Sequence, residues 1–180
     1  MLVLNRARYQ LKEAVDSTVD AIVEKAAKKR FADLEKNGVL KSAGEGFVFP
    51  KELVLSRLSR EPFRNHAYDL VDYLNGEEVE FAKKIDNLPN VAWWLRNPTD
   101  GGFYLTGWKR GRFFPDFLVK TKDGAIFVFE YKGKQLEGSE YTEYKKGLGE
   151  KWAKFSGGVC RFLWVEKESI NKALEVLAEA

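Results

Sequence analysis

The stretch from 113 to 133, which reads FFPDFLVKTKDGAIFVFEYKG, constrains the fold of this chain most. Two apolar runs flank a Lys-Asp-Gly turn, which predicts a β-hairpin. The first run carries Asp116 directly after a proline, and the second ends with Glu130 and Lys132. Charged side chains in buried strands are costly unless they are paired or bind a metal. Two carboxylates and a lysine that converge on one place are what metal-assisted cleavage of a phosphodiester requires.

The register of this hairpin depends on the length of its loop. A loop of only Asp123 and Gly124 would put Asp116 and Glu130 on opposite faces. A three-residue loop that also includes Lys122, with Gly124 in a left-handed bulge, pairs the two carboxylates directly, with Cβ atoms about 5 Å apart. We adopt the three-residue loop because a shared cation would offset the repulsion between the carboxylates. Magnesium would lie about 2.1 Å from each oxygen.

Composition limits the remaining possibilities. The chain has 180 residues, which is enough for one domain with a sizeable core. It has no apolar run near the roughly 18 residues of a membrane span and no signal-peptide pattern at its N-terminus. Cys160 is the only cysteine, so we expect no internal disulfide and a reducing, cytoplasmic setting. His66 is the only histidine, which argues against a Cys/His zinc site, and the net charge of +3 permits nucleic-acid binding without demonstrating it.

Two helices are predicted before the hairpin. Apolar residues recur at three- and four-residue steps through 2–35, which predicts a long N-terminal helix that Asn37-Gly38 ends. A second helix is predicted over 69–87, and Glu78 falls inside its apolar stripe. An unpaired carboxylate in such a stripe is costly, so Glu78 is a candidate functional residue. Alternatively, it lies at the edge of the stripe and pairs with a lysine. The stripe consists of Leu70, Leu74, Phe81, Ala82 and Ile85.

Aromatic-rich strands are predicted over 91–96 and 103–108, and a basic loop follows the second of them. Basic side chains beside a tryptophan could hold a phosphate backbone or stack on a base, and a solvated turn explains the loop equally well. The candidate DNA-contacting residues are Trp108, Lys109, Arg110, Arg112 and Lys134.

A helix is predicted over 141–155, after the hairpin, with Ser139 as its cap. Lys145 lies at the N-terminal end of the helix face that is directed at the sheet. Gly149 lies on the same face, where the missing side chain permits close approach to the sheet.

A strand over 159–165 and a last helix over 169–178 complete the chain. The crossover through the preceding helix favours a strand that runs parallel to the second hairpin strand. The elements together predict the α/β class, with a central mixed sheet flanked by helices and the charged residues at one edge.

These motifs, in this order, resemble the PD-(D/E)xK nuclease superfamily. More narrowly, the chain is similar to the C-terminal nuclease domain of type III restriction enzyme cleavage subunits and of related DEAD/DEAH helicase-nucleases. The resemblance covers roughly 63 to 165 and implies a restriction-endonuclease-like αβββαβ core. It divides the chain into an N-terminal helical connector, 1–62, and a nuclease domain, 63–180. The matching segments are Asn75-Gly76-Glu77-Glu78 with Phe81-Ala82, Val91 with Trp94-Leu95-Arg96-Asn97, Phe114-Pro115-Asp116-Phe117, Glu130-Tyr131-Lys132-Gly133, and Thr142 with Lys145, Gly149 and Trp152.

The resemblance implies a role for each matching site residue. Lys132 would orient the attacking water or neutralise charge in the transition state, and Lys145 would contact the scissile phosphate or its neighbour. The metal would be magnesium or manganese, and the products would be a 5′-phosphate and a 3′-hydroxyl. The implied metal ligands are Asp116, Glu130, the backbone carbonyl of Tyr131 and Glu78.

The chain lacks the G-x-x-x-x-G-K-[ST] phosphate loop, so it has no ATP site to drive a motor. As part of a longer enzyme, it would work with a helicase or translocase domain and a modification or specificity subunit. A standalone nuclease or junction resolvase would need a dimer to cut both strands. A third possibility is a nuclease fold that only binds DNA or protein. The intact set of Asp116, Glu130 and Lys132 counts against that last possibility.

Overall fold

The computed structural model describes residues 2–40, 48–55, 57–59, 61–132 and 139–180. The chain forms two compact units. The first unit consists of Met1–Leu40 with Thr106–Arg112, and the second of Lys41–Leu105 with Phe113–Ala180. The domain boundary after residue 62 that the resemblance implies stays a prediction.

The first unit is built on one long helix, α1 (Leu2–Lys36). The helix ends at the Asn37-Gly38 pair, where Gly38 adopts a φ of +65°. The predicted N-terminal helix and its end are therefore confirmed. The apolar stripe of α1 is exposed, with Leu11 at 67% and Ile22 at 64% of full exposure.

The second unit is a four-stranded mixed sheet with helices against it. In chain order its elements are α2 (Gly76–Asp86), β1 (Val91–Arg96), β2 (Phe117–Thr121), β3 (Ile126–Lys132), α3 (Glu140–Phe155), β4 (Cys160–Glu166) and α4 (Ile170–Ala178). The strands lie in the order β1-β2-β3-β4; the first two pairs are antiparallel and the last is parallel. The predicted α/β class, the mixed sheet and the parallel last strand are confirmed.

The β2–β3 hairpin has the three-residue loop that the sequence favours. The ladder pairs Phe117 with Phe129 and Lys120 with Ile126, and Gly124 in the loop has a φ of +101°. Beyond the last ladder pair, the Thr121 N–H bonds to the Ala125 carbonyl at 2.9 Å. Three residues, 122–124, therefore form the loop. The same register, continued by one residue, puts Asp116 opposite Glu130.

Helices cover both faces of the sheet. Phe81 of α2 packs edge-on against Phe117 and Phe129, with ring centroids 5.4 and 5.5 Å apart. Helix α3 approaches β4 closely at Gly149, where a Cβ atom would lie 2.5 Å from the ring of Phe162. This confirms the close approach predicted for that glycine and fixes the height of α3 above the strands.

The prediction of a helix over 69–87 is wrong at its N-terminal end, because α2 begins at Gly76. Asn75 caps the helix: its side-chain oxygen accepts a hydrogen bond from the N–H of Glu78 at 3.0 Å. Leu70, which was assigned to the apolar stripe, lies before this cap and is 55% exposed. The capping asparagine starts the helix about two turns later than the apolar spacing suggests.

The strand predicted over 103–108 does not form in the described residues, where only an isolated bridge joins Leu105 to Phe113. The side chain of Asn97 takes the place of a neighbouring strand. It accepts a hydrogen bond from the Phe103 N–H at 2.8 Å and donates one to the Phe103 carbonyl at 2.7 Å. Both backbone groups of Phe103 are thus satisfied without a ladder, and Leu105 bonds to Phe113 only through the isolated bridge.

Candidate functional site

The end of β1, the start of β2 and the end of β3 meet at one end of the sheet. Arg96 pairs with Phe117 across β1 and β2, and Phe117 pairs with Phe129 across β2 and β3. Charged residues therefore gather at this end from three strands, and α2 and α3 each add one more. We call the following side chains the acidic site: Glu78, Arg96, Asp116, Glu130, Lys132 and Lys145.

Glu130 is the most deeply buried carboxylate of the acidic site, with 5% of its surface exposed. Its Oε1 atom accepts a hydrogen bond from Lys145 Nζ at 3.0 Å. Its Oε2 atom is buried and has no hydrogen-bond partner among the described residues. Burial, followed by repulsion from Asp116, raises the pKa of Glu130 to about 7. A buried carboxylate with an unpaired oxygen beside a second carboxylate would be stabilised by one further positive partner.

Asp116 lies at the entrance to β2 and uses both of its oxygens. Its Oδ2 atom accepts a hydrogen bond from the Tyr131 backbone N–H at 2.8 Å, and its Oδ1 atom accepts one from Arg96 Nη1, also at 2.8 Å. The same Arg96 nitrogen donates to the Asp116 carbonyl at 2.9 Å. These contacts hold the carboxylate in place beside the strand that carries Glu130.

Glu78 is buried because it is paired, as the alternative reading of its sequence position proposes, although its partner is an arginine and not a lysine. Its Oε1 atom binds Arg96 Nη2 at 3.1 Å. Its Oε2 atom accepts a hydrogen bond from the Asn75 backbone N–H at 2.9 Å, which completes the capping box of α2. Burial outweighs the attraction of Arg96 and raises the pKa of Glu78. Both oxygens therefore have structural partners, and the metal-binding role of Glu78 stays a prediction.

The two lysines of the acidic site differ in their contacts. Lys145 touches Glu130 directly and lies over the rings of Phe113 and Tyr141, with Nζ 4.7 and 5.5 Å from their centroids. Lys132 lies with Nζ 5.8 Å from the ring centroid of Trp164, and its positive charge makes only a minor contribution to lowering the pKa of Glu130. Lys145 is therefore the main counter-charge of Glu130.

The fit of a divalent cation to these residues is partial. No group of three His, Cys, Asp or Glu side chains is arranged to hold a metal ion in the described part of the chain. Two carboxylates nevertheless remain suitable. Glu130 has its unpaired Oε2 atom. Each carboxylate oxygen of Asp116 accepts one hydrogen bond although it has about two lone pairs. Asp116 and Glu130 are thus the residues that fit a cation, and the third carboxylate, Glu78, is bound by Arg96.

The basic loop predicted to contact DNA belongs to the first unit, where it packs on α1. Lys109 Nζ lies 2.8 Å from Glu24 Oε1, and Arg110 Nη1 lies 2.9 Å from Asp20 Oδ1. Both cations therefore have carboxylate partners on α1. The Arg110–Asp20 pair is exposed and so contributes little stability, whereas the Lys109 side chain is only 16% exposed.

The remaining predicted DNA contacts are distributed differently. Trp108 packs against Phe31 of α1 with ring centroids 5.3 Å apart, and Arg112 is exposed. Lys134 lies outside the described residues. Contact of these residues with DNA stays a prediction.

Sequence reasoning missed Arg96 as a member of the site. Its guanidinium joins Glu78 to Asp116 and lies 5.4 Å from the ring centroid of Phe117. The available signal was its position as the charged last residue of an aromatic strand. That position alone identifies neither partner, because Glu78 is brought near by the packing of α2 and Asp116 by the pairing of β1 with β2.

Comparisons of the chain with protein-family models, curated sequences and solved structures found no significant match. Within the described ranges, none of the helices is both long and apolar enough to cross a membrane.

Proposed function

We propose that this chain is a metal-dependent DNA endonuclease domain that hydrolyses phosphodiester bonds to a 5′-phosphate and a 3′-hydroxyl in the cytoplasm. The observation that carries the proposal is Glu130, which is buried opposite Asp116 with an oxygen that has no partner among the described residues. Leaving a buried acceptor unsatisfied costs about 1–3 kcal/mol, and more for a charged group. A site that exists to bind a cation explains why this cost is retained.

Asp116 and Glu130 would hold magnesium or manganese, with the Tyr131 carbonyl as a third ligand and Glu78 in the surrounding shell. When bound, the metal would lower the pKa of a water molecule and polarise the phosphoryl group.

The lysines have distinct tasks in this proposal. Lys145, whose Nζ lies 3.0 Å from Glu130 Oε1, keeps positive charge where a phosphate oxygen would enter. Lys132 follows Glu130 by two residues on the same strand and so shares its face. It would donate a hydrogen bond to the attacking water.

The order of elements supports the proposal. The second unit runs helix, three antiparallel strands, helix and parallel strand, which is the order expected of the restriction-endonuclease-like αβββαβ core. As the nuclease part of a type III-like restriction enzyme or helicase-nuclease, the domain would act with a translocase and a specificity subunit. As a standalone nuclease or junction resolvase, it would act as a dimer.

One observation favours a second candidate function, a non-catalytic module that binds DNA or protein. Arg96 already forms ion pairs with Asp116 and Glu78, so two of the three carboxylates have a positive partner without a metal. In that case the ion pairs would stabilise the end of the sheet and Glu130 would be held by Lys145 alone.

Nicking of supercoiled plasmid by the purified chain tests the proposal. We expect nicking with magnesium or manganese, and its loss in EDTA and in the Glu130→Gln and Lys132→Ala variants. Glu150→Gln serves as a control, because Glu150 is an exposed carboxylate on α3 outside the acidic site. Nicking by Glu130→Gln at the wild-type rate would refute the site. Failure of the wild type to nick plasmid and to bind metal in the presence of DNA would favour the binding module.

A further inference from the structure

Arg96 lies where two carboxylates of the acidic site converge. Its Nη1 atom is 2.8 Å from Asp116 Oδ1, and its Nη2 atom is 3.1 Å from Glu78 Oε1. The side chain is only 20% exposed and lies against the ring of Phe117. The guanidinium thus bridges two carboxylates, with one charge-assisted hydrogen bond to each.

A divalent cation at Asp116 would meet this guanidinium at short range. Like charges separated by a few ångströms in a partly buried site repel strongly, because water screens them poorly there. Arg96 also occupies a lone pair on the Asp116 oxygen that faces it. A metal at Asp116 and an arginine in its present contact are therefore mutually unfavourable.

We propose, on the basis of the proposed function, that Arg96 is the resident cation of the acidic site and competes with the divalent metal for Asp116. In the metal-free protein it pairs with both Asp116 and Glu78, and it leaves Asp116 when a metal binds. Glu78 keeps its contact with the arginine and its cap on Asn75 in both states. Glu78 therefore acts on the site through Arg96 and is not a metal ligand.

A competing Arg96 and a structural Arg96 predict opposite changes in metal affinity when its charge is removed. If Arg96 only braces Asp116, removing it loosens the carboxylate and weakens metal binding. If Arg96 competes with the metal, removing its charge strengthens metal binding while the protein stays folded. Arg96→Lys keeps the charge, so under competition it stays close to wild type.

Calorimetric titration with Mg²⁺ or Mn²⁺ tests the inference, using wild type, Arg96→Gln, Arg96→Lys and Glu130→Gln. We expect Arg96→Gln to bind at least tenfold more tightly than wild type, Arg96→Lys to remain within about threefold, and Glu130→Gln to lose binding. Arg161→Gln controls for the loss of one positive charge, since Arg161 pairs with Phe127 toward the opposite end of β3.

Equal or weaker binding by a folded Arg96→Gln variant would overturn the competition and leave the proposed function standing. Absence of binding in both wild type and Arg96→Gln would overturn both.

A measurement on the wild type keeps the test independent of whether Arg96→Gln folds. The side-chain Nε–H resonance of Arg96, assigned by its absence in Arg96→Lys, reports the contact in ¹⁵N spectra. We expect this resonance to shift or to exchange with water as metal saturates the site. An unchanged Arg96 resonance at saturation would overturn the competition.

Discussion

Glu130→Gln should make the metal-free protein more stable at high pH, because Glu130 is ionised in an unfavourable place. Burial and the Asp116 carboxylate raise its pKa from 4.5 to about 7. One pKa unit corresponds to about 1.4 kcal/mol, so the rise corresponds to about 3 kcal/mol between the two protonation states. The folded chain holds this proton more tightly than the unfolded chain does. The wild type is therefore favoured below pH 4.5 and loses stability as the pH rises from 4.5 to about 7.

Urea unfolding in EDTA between pH 5 and pH 8 measures this effect. Glutamine resembles the protonated glutamate in shape and charge, so it removes the pH-dependent loss. We expect the stability of Glu130→Gln relative to wild type to increase by about 3 kcal/mol across this range. Glu150→Gln, on the exposed side of α3, should follow the wild type throughout.

The reasoning would be refuted if the difference between Glu130→Gln and wild type did not change with pH. It would also be refuted if Glu130→Gln were less stable than wild type at pH 8, since that would mean that the Lys145 contact outweighs burial. Adding Mg²⁺ at pH 8 should restore the stability of the wild type and leave Glu130→Gln unchanged.

Three further changes test other parts of the structure. Gly149→Ala should lower stability by about 1–3 kcal/mol in urea unfolding, because its Cβ would lie 2.5 Å from the Phe162 ring; unchanged stability would contradict the close approach of α3. Asn75→Ala should cost about 1 kcal/mol through loss of the α2 cap, whereas Asn75→Asp should retain most of that stability. Asp116→Asn should abolish plasmid nicking with an unchanged circular dichroism spectrum, and wild-type nicking by this variant would remove Asp116 from the site.

Local chemistry made the hairpin predictable from sequence. The Lys-Asp-Gly turn predicted the hairpin but left two registers open, and the assumption of a shared cation selected the three-residue loop, which is the one observed. The helix over Glu140–Phe155 followed in the same way from its Ser139 cap. In both cases the determining residues lie within a few positions of each other.

The predictions of secondary structure were wrong where a side-chain hydrogen bond to the backbone determines the local structure. Asn75 begins α2 later than its apolar spacing suggests, and the N-x-x-E capping pattern with Glu78 was present in the sequence to reveal it. Asn97 bonds to both backbone groups of Phe103 and so removes the need for a strand there. The aromatic content of a segment indicates β propensity, but it does not reveal that an asparagine side chain will take the hydrogen bonds of a neighbouring strand.

The pairing within the acidic site could be predicted only in part. Asp116 and Glu130 face each other through hairpin register, which the sequence contains. Arg96 reaches Glu78 and Asp116 across separations of 18 and 20 residues. The packing of α2 against the sheet brings Glu78 to it, and the pairing of β1 with β2 brings Asp116 to it. Long-range ion pairs of this kind depend on the tertiary fold and have no short-range signal.

Calorimetric titration of wild type and Glu130→Gln with Mg²⁺ near pH 7, in buffers of different ionisation enthalpy, tests the metal site most directly. Because Glu130 has a pKa of about 7, metal binding should release about half a proton at that pH, which makes the enthalpy depend on the buffer. We predict binding with proton release by the wild type and no binding by Glu130→Gln. Equal binding by the two proteins would contradict the assignment of Glu130 as a metal ligand, and binding by the wild type with no proton release would contradict the raised pKa of Glu130.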